Sequence, residues 1–357
     1  MPQTTDNALE DARPIVAIDG QDNAVLRSGL LSLLVVEHAS GLYRCEALFG
    51  NWGAVKNRTD FLYFDRKVLD FGKALAIKLG ADAVFDGRIM AMEANFPEGQ
   101  APELNVLAED RLQDLRMTRR TRTFADVSDA DVITQIANDH GLTPSVRVNG
   151  PTYRVLAQVN QSDLAFVRER ARAIDAEVWM DRKTLNAQSH ADRNEGTLQM
   201  TRGAQLREFT VIADLAHQRT SVTASGWDVS SKASLKYEAT DSVISGEVND
   251  DDSGASVLKS ALGERKESIA HTVPLTSQEA QAEAEAFFKM SARRFVVGQG
   301  VAEPNARLRV GSRVDLHGLG PLFSGKYYVS EVRHRFDGIN GLRSEFTAER
   351  PGLGRSQ

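Results

Sequence analysis

Residues 320–326 read Gly-Pro-Leu-Phe-Ser-Gly-Lys and fill the first seven positions of a phosphate-cradling glycine loop. The eighth position must carry a hydroxyl to reach magnesium, and here it is Tyr327. Such a loop also opens a helix, whose free N–H groups hold the phosphate. The residues after Lys326 have the aromatic and β-branched content of a strand instead. The segment therefore reads as a strand connection with turn glycines. Residues 249–254 fit a calcium loop for six positions, but the twelfth, which must supply a bidentate glutamate, is Ser260. That stretch reads as a solvated, mobile loop.

His38, His140, His190, His217, His271, His317 and His334 have no second His or Cys at metal-ligand spacing. His140 falls at a predicted helix end, where a cation is favoured. His334 lies in a strand between Arg333 and Arg335. No Gly-x-Ser-x-Gly elbow occurs. Cys45, the one cysteine, has only Arg44 as a basic neighbour. No catalytic residue, cofactor-binding residue or metal ligand is assigned. Arg116, Arg119, Arg120 and Arg122 form the densest charge cluster. No aromatic side chains interleave for base stacking, so the cluster points to protein contacts, where arginine is enriched. Arg333 and Arg335 join them as candidate interface residues.

The elements behind these residues begin with short apolar runs. Ile15 and Ala17, residues 30–36, 61–64, 74–79, 84–92 and 103–108 read as strands, with Asp19-Gly20 and Ser40-Gly41 as turns. Leu112 and Leu115 mark a helical turn. Two signed helices follow. Ser128 caps the first, with Val132, Ile133, Ile136 and Ala137 as its stripe and Gly141 as its stop. Ser162 caps the second, with Leu164, Val167, Ala171 and Ile174 on one face. Strands resume at residues 209–212 and 219–224. A helix over residues 277–295 opens with Thr276 and Glu279 as a capping box. Residues 308–316, 327–336 and 342–348 close the chain as strands.

The expected fold is mainly β with an α+β insert: two tube-like antiparallel β-barrels flanking a small α/β module. The expected domains are 13–118, a first barrel; 119–205, the α+β module; and 206–357, a second barrel with a loop-plus-helix insertion at about 230–300.

The chain has 357 residues, 43 Lys and Arg and 49 Asp and Glu, a net charge of −6. That argues against a globally basic nucleic-acid surface and against attraction to anionic membranes. The N-terminus lacks a signal-peptide pattern, and no window approaches the roughly 18 apolar residues of a membrane span. The expectation is a protein that is cytoplasmic when made, with no cofactor.

Three stretches carry a resemblance. The first is Phe85-Asp86-Gly87-Arg88-Ile89 with Leu112-Gln113-Asp114-Leu115 and residues 119–124. The second is residues 128–133 with His140-Gly141-Leu142, residues 158–166 and Ala176-Glu177-Val178. The third is Gly325-Lys326-Tyr327-Tyr328-Val329 with residues 332–336. In this order they resemble the phage late control D proteins, tail hubs of contractile phages, and are similar to the hub-barrel part of VgrG spikes in type VI secretion. The resemblance implies a homotrimer whose doubled barrels match a hexameric inner tube protein on one side and a trimeric spike on the other. It implies contacts with other baseplate proteins, no membrane, no specific nucleic-acid binding, and a place in a virion tail or injection-particle baseplate. Spike-fused relatives continue past the hub, whereas this chain stops at Gln357, so the spike is expected as a separate polypeptide. A hub fragment of a type VI protein and a cell-wall hydrolase are the competing readings.

Overall fold

Residues 44–50 and 103–109 alternate buried and half-exposed side chains, as strands wet on one side must. Both are strands in the computed structural model, which describes residues 13–228, 231–248, 251–270 and 272–355. The first region holds β1 (Ile15–Ile18), β2 (Gln21–Asp22), helix α1 (Ala24–Gly29), β3 (Leu30–His38), β4 (Arg44–Gly50), β5 (Trp52–Val55), β6 (Arg58–Phe61), β7 (Ala74–Leu79), β8 (Asp82–Asn95) and β9 (Glu103–Glu109). The strand expected over residues 61–64 ends at Phe61. There Asn51 Oδ1 accepts the Leu62 and Tyr63 N–H groups at 3.0 and 2.9 Å and turns the chain.

The middle region holds β10 (Arg119–Ser128), α2 (Asp129–Asp139), β11 (Thr143–Arg147), β12 (Thr152–Ser162), α3 (Asp163–Ala173), β13 (Ala176–Asp181) and β14 (Thr184–Ser189). β10 and β12 form a ribbon, and β11, β14 and β13 a second small sheet. The caps work as the sequence predicts. Ser128 and Asp131 close a reciprocal box, and Ser162 Oγ accepts the Ala165 N–H. Val132, Ile133, Ile136, Ala137, Leu164, Val167 and Ala171 share one core with Phe124 and Phe166.

The last region holds β15 (Thr197–Thr201), β16 (Leu206–Ala213), β17 (Ser221–Asp228), β18 (Ala233–Thr240), β19 (Asp252–Ser253), α4 (Gly254–Leu262), β20 (Lys266–Ile269), α5 (Ser277–Arg293), β21 (Val296–Ala302), β22 (Arg313–His317), β23 (Gly325–Asp337), β24 (Gly341–Arg350) and β25 (Gly352–Leu353). Three expectations are corrected here. In the acidic stretch, Asn249 and Asp250 lie outside the described residues. Its end is ordered: β19 pairs with β25, and Ser253 Oγ caps α4. The strand expected over residues 308–316 begins only at Arg313, because Asn305 and Gly311 (φ 93°) fold the preceding residues into turns. Helix α5 ends at Arg293, and Phe295 leaves it to enter the core under the large sheet. At its start, Thr276 accepts the Glu279 N–H as expected, but the Glu279 carboxylate takes the Leu275 N–H.

The fold is mainly β. Its decisive pairing is β23 with β3, from Glu331 opposite His38 to Asp337 opposite Ser32. It joins the first and last regions into one 13-stranded sheet with the path β16-β21-β24-β23-β3-β4-β9-β8-β7-β1-β2. The other end of β23 pairs with β22, which pairs in parallel with β15. A buried ion pair sits at this junction. Glu37, at the end of β3, receives the Arg309 guanidinium and the Val310 N–H. Burial pushes the Glu37 carboxyl up, against the pull of Arg309. No helix among the described residues is long and apolar enough to cross a membrane.

Gly300 lies between Phe209 on β16 and Phe346 on β24, directly opposite both. A Cβ there would come within 2.4 Å of Phe346 Cζ. Gly300→Ala is expected to lower stability by about 1–3 kcal/mol. Gly50→Ala, where a Cβ meets nothing within 4 Å, serves as the control. Urea denaturation of both variants checks this; equal effects would remove the steric account.

Candidate functional site

The candidate arginines divide between two places. Arg333 on β23 stands opposite Glu345 on β24 and Val36 on β3. Val36 stands opposite Arg44 on β4, Arg44 opposite Glu109 on β9, and Glu109 opposite Arg88 on β8. Beyond Glu345, the same row continues to Val301 and Glu208. Because directly opposite residues share a face, one charge-rich row crosses eight strands and both β regions. Arg116 reaches Glu109 of that row at 2.5 Å, and Arg333 reaches Glu331 at 2.8 Å. Arg335 lies on the same face and approaches Glu345 at 3.5 Å.

Arg119, Arg120 and Arg122 lie elsewhere, on β10 of the middle module. Arg120 and Arg122 converge on Asp163 at 3.1 and 2.9 Å, and Arg122 also pairs with Asp139 at 2.9 Å. His140 and Gln158 complete the shell around Asp163, each at 2.8 Å. Burial raises the Asp163 carboxyl, but these donors and arginines outweigh it and hold it below its ordinary value. Arg119 donates to the Asn160 carbonyl at 2.8 Å and has no carboxylate partner among the described residues.

A second polar centre was not legible in the sequence. Glu177 on β13 is buried where the middle module meets both β regions. It binds His190 Nδ1 at 2.9 Å, Arg193 Nη1 at 2.8 Å and the Tyr328 hydroxyl of β23 at 2.5 Å. Arg193 also donates to Tyr43 Oη at 2.9 Å and stacks 3.9 Å from the Trp179 ring centroid. Burial pushes the Glu177 carboxyl up. The His190 hydrogen bond and the His190 and Arg193 charges outweigh that, holding it at about 2. Arg293 of α5 makes a neighbouring clamp, bidentate to Asp175 and to Glu247. A cleft of about 910 Å³ opens beside it, bounded by Arg147, Asp175, Glu247, Arg313 and Lys326. These residues lie far apart in sequence, so no spacing motif could have marked them.

Residues 320–323 form one short helical turn before β23. Ser324 Oγ accepts the Leu319 N–H, and Tyr327 is buried with its hydroxyl donated to the Phe323 carbonyl at 2.7 Å. Among the described residues, no three His, Cys, Asp or Glu side chains are placed to share a metal ion.

A family model described as the Alg8 N-terminal domain matches residues 53–337. The chain belongs to the Alg8 N-terminal domain family. No curated protein matches it. Among solved structures, the prophage MuSo2 43 kDa tail protein of Shewanella oneidensis aligns with a TM-score of 0.70 at 10% identity, over 95% of this chain and 98% of that one. The tail protein of Neisseria meningitidis MC58 gives 0.68 at 13% identity, over 96% and 97%. The E. coli c3393 protein is a type VI secretion component described as structurally similar to the T4 tail proteins gp27 and gp5. It gives 0.57 at 13% identity, over 96% of this chain and 79% of that one. The likeness of fold expected with phage-tail and type VI secretion proteins is borne out.

Proposed function

We propose that this Alg8 N-terminal family chain is a structural, non-enzymatic baseplate hub of a contractile phage tail or a related injection device, of the late control D kind. In this reading three copies form a ring. Residues 13–118 and 206–357 act as two tube-like barrels per copy, with residues 119–205 as an outer module. Six barrels meet the hexameric tube, while the three-fold axis meets the trimeric spike. The observation that carries the reading is the fold shared from end to end with two tail proteins.

The sheet supports it. A ring wall needs a continuous surface that bridges the two halves of each copy, and the β23–β3 pairing supplies one. We read the row from Glu208 to Arg88 as part of the bore lining, with its mixed charges keeping that face wet. The sheet path ends at β16 on one side and β2 on the other, and these edges are assigned to neighbouring copies. Arg116, Arg333 and Arg335 then face the bore or its rim. Arg119, Arg120 and Arg122 lie on the outer module, where other baseplate proteins dock.

Native mass spectrometry of the purified chain, alone and with candidate spike and tube proteins, is expected to show three copies per assembly. A chain that stays monomeric and binds neither protein would overturn the hub reading.

A further inference from the structure

Among the described residues, the ribbon β10–β12 pairs with no third strand. Among the described residues, residues 152–160 make no backbone hydrogen bond outside it. An open edge of this length is a template for one more strand, and natural proteins blunt such edges with lysine, proline or bulges. β10 carries one such device, Asp126 with a φ of 52°, and β12 carries a bulge at its far end, where Val159 and Asn160 (φ 47°) stand against Thr121 alone. From Thr152 to Gln158, short of that bulge, β12 contains no proline, glycine or lysine and no residue with positive φ. Its outward face presents Val155 and Val159, 58% and 64% exposed, with exposed Ala157 between them. β-Branched side chains of this kind are what a neighbouring strand packs against.

A cation stands near each end of the ribbon. Arg154 is exposed near one end and has no ion-pair partner among the described residues. At the other end Arg119 of β10, opposite Ser162, reaches across to the Asn160 carbonyl and has no carboxylate partner among the described residues. We propose that the β12 edge receives an extended segment of another polypeptide as a third strand. The segment carries β-branched residues facing Val155, Ala157 and Val159, and acidic residues at its ends facing Arg154 and Arg119. A second copy of this chain is a poor occupant. Antiparallel pairing of two β12 edges about Ala157 would set Arg154 of one copy opposite Asn160 of the other, whose carbonyl holds the Arg119 guanidinium, and like charges brought that close repel. The inference stands independently of the hub reading.

The test uses the full chain and a fluorescent peptide of about ten residues, Asp-Glu-Val-Thr-Val-Thr-Val-Thr-Glu-Asp. Saturable binding is expected, with slowed amide exchange over residues 152–160. Val155→Lys with Val159→Lys should weaken it at least about tenfold, as should Arg119→Glu with Arg154→Glu. Both exposed-site double variants should keep the parent melting temperature. Three outcomes overturn the proposal: no binding at millimolar peptide, binding unchanged by either double variant, or protection confined to other segments. Self-association abolished by the lysine pair would assign the edge to a second copy, and would overturn it too.

Discussion

Arg193→Ala is expected to lower stability by about 3–5 kcal/mol, because it strips a buried carboxylate of its arginine partner. Arg193 is 1% exposed, and its guanidinium bridges Glu177 of the middle module to Tyr43 of the first β region. The Glu177 carboxylate would remain, held only by His190 and Tyr328. The loss also empties the space over Trp179 that the guanidinium fills. The contrast is Arg207–Glu303, whose side chains are 43% and 51% exposed. Solvent screens that pair, so Arg207→Ala is expected to change stability by no more than about 1 kcal/mol. Urea denaturation of the two variants beside the parent decides the matter. If Arg193→Ala costs no more than Arg207→Ala, the cluster does not hold the three regions together.

His334→Gln is expected to change how stability depends on pH. His334 is buried on β23 against Ser344 Oγ at 2.9 Å. Burial, and then the charge of Arg309, depress its pKa to about 3. An unfolded histidine binds a proton near pH 6.5. Between roughly pH 6.5 and pH 3 the unfolded state therefore holds a proton that the folded state refuses. The His334 contribution is present above about pH 6.5 and is lost as pH falls, at about 1.4 kcal/mol per pH unit.

Asp110 works in the opposite direction. Its carboxylate accepts the Tyr43 and Leu112 N–H groups at 2.8 Å each, yet burial pushes its pKa up to about 7. It is protonated in the fold where the unfolded chain, ionising near pH 3.9, is not. Its contribution is full below about pH 4 and is lost as pH rises toward 7. The two slopes oppose each other between about pH 4 and pH 6.5. Removing His334 unmasks the Asp110 slope. Relative to the parent, His334→Gln should gain about 3 kcal/mol on going from pH 6.5 to pH 4. Denaturation curves at stepped pH measure this, and a difference that stays flat with pH would refute it.

The sequence by itself determined what rests on neighbours along the chain. The caps at Ser128, Ser162 and Thr276 were legible because a cap and its N–H lie three residues apart. The strand over residues 342–348 was legible because successive strand residues take opposite faces and the sequence there alternates to match. The failed nucleotide motif was legible because one residue, Tyr327, stands where a hydroxyl had to reach magnesium. The resemblance to tail hubs was legible because its three stretches keep their order.

Only the tertiary structure decided the rest. Short acidic stretches look solvated until a partner strand is in view, and the partner of β19 lies near the chain's end, at Gly352. The arginines of residues 116–122 look like one cluster in the sequence. A strand start at Arg119 sends Arg116 to Glu109 and Arg122 to Asp163. Glu177, His190, Arg193, Tyr43 and Tyr328 carry no mutual spacing, and a buried charge declares itself only when its surroundings are known. The joined sheet turns on β23 meeting β3 across just over 300 residues of intervening chain, from Ser32 to Asp337. A strand's hydrogen-bonding edges look the same whatever side chains it bears, so its choice of partner is settled by packing.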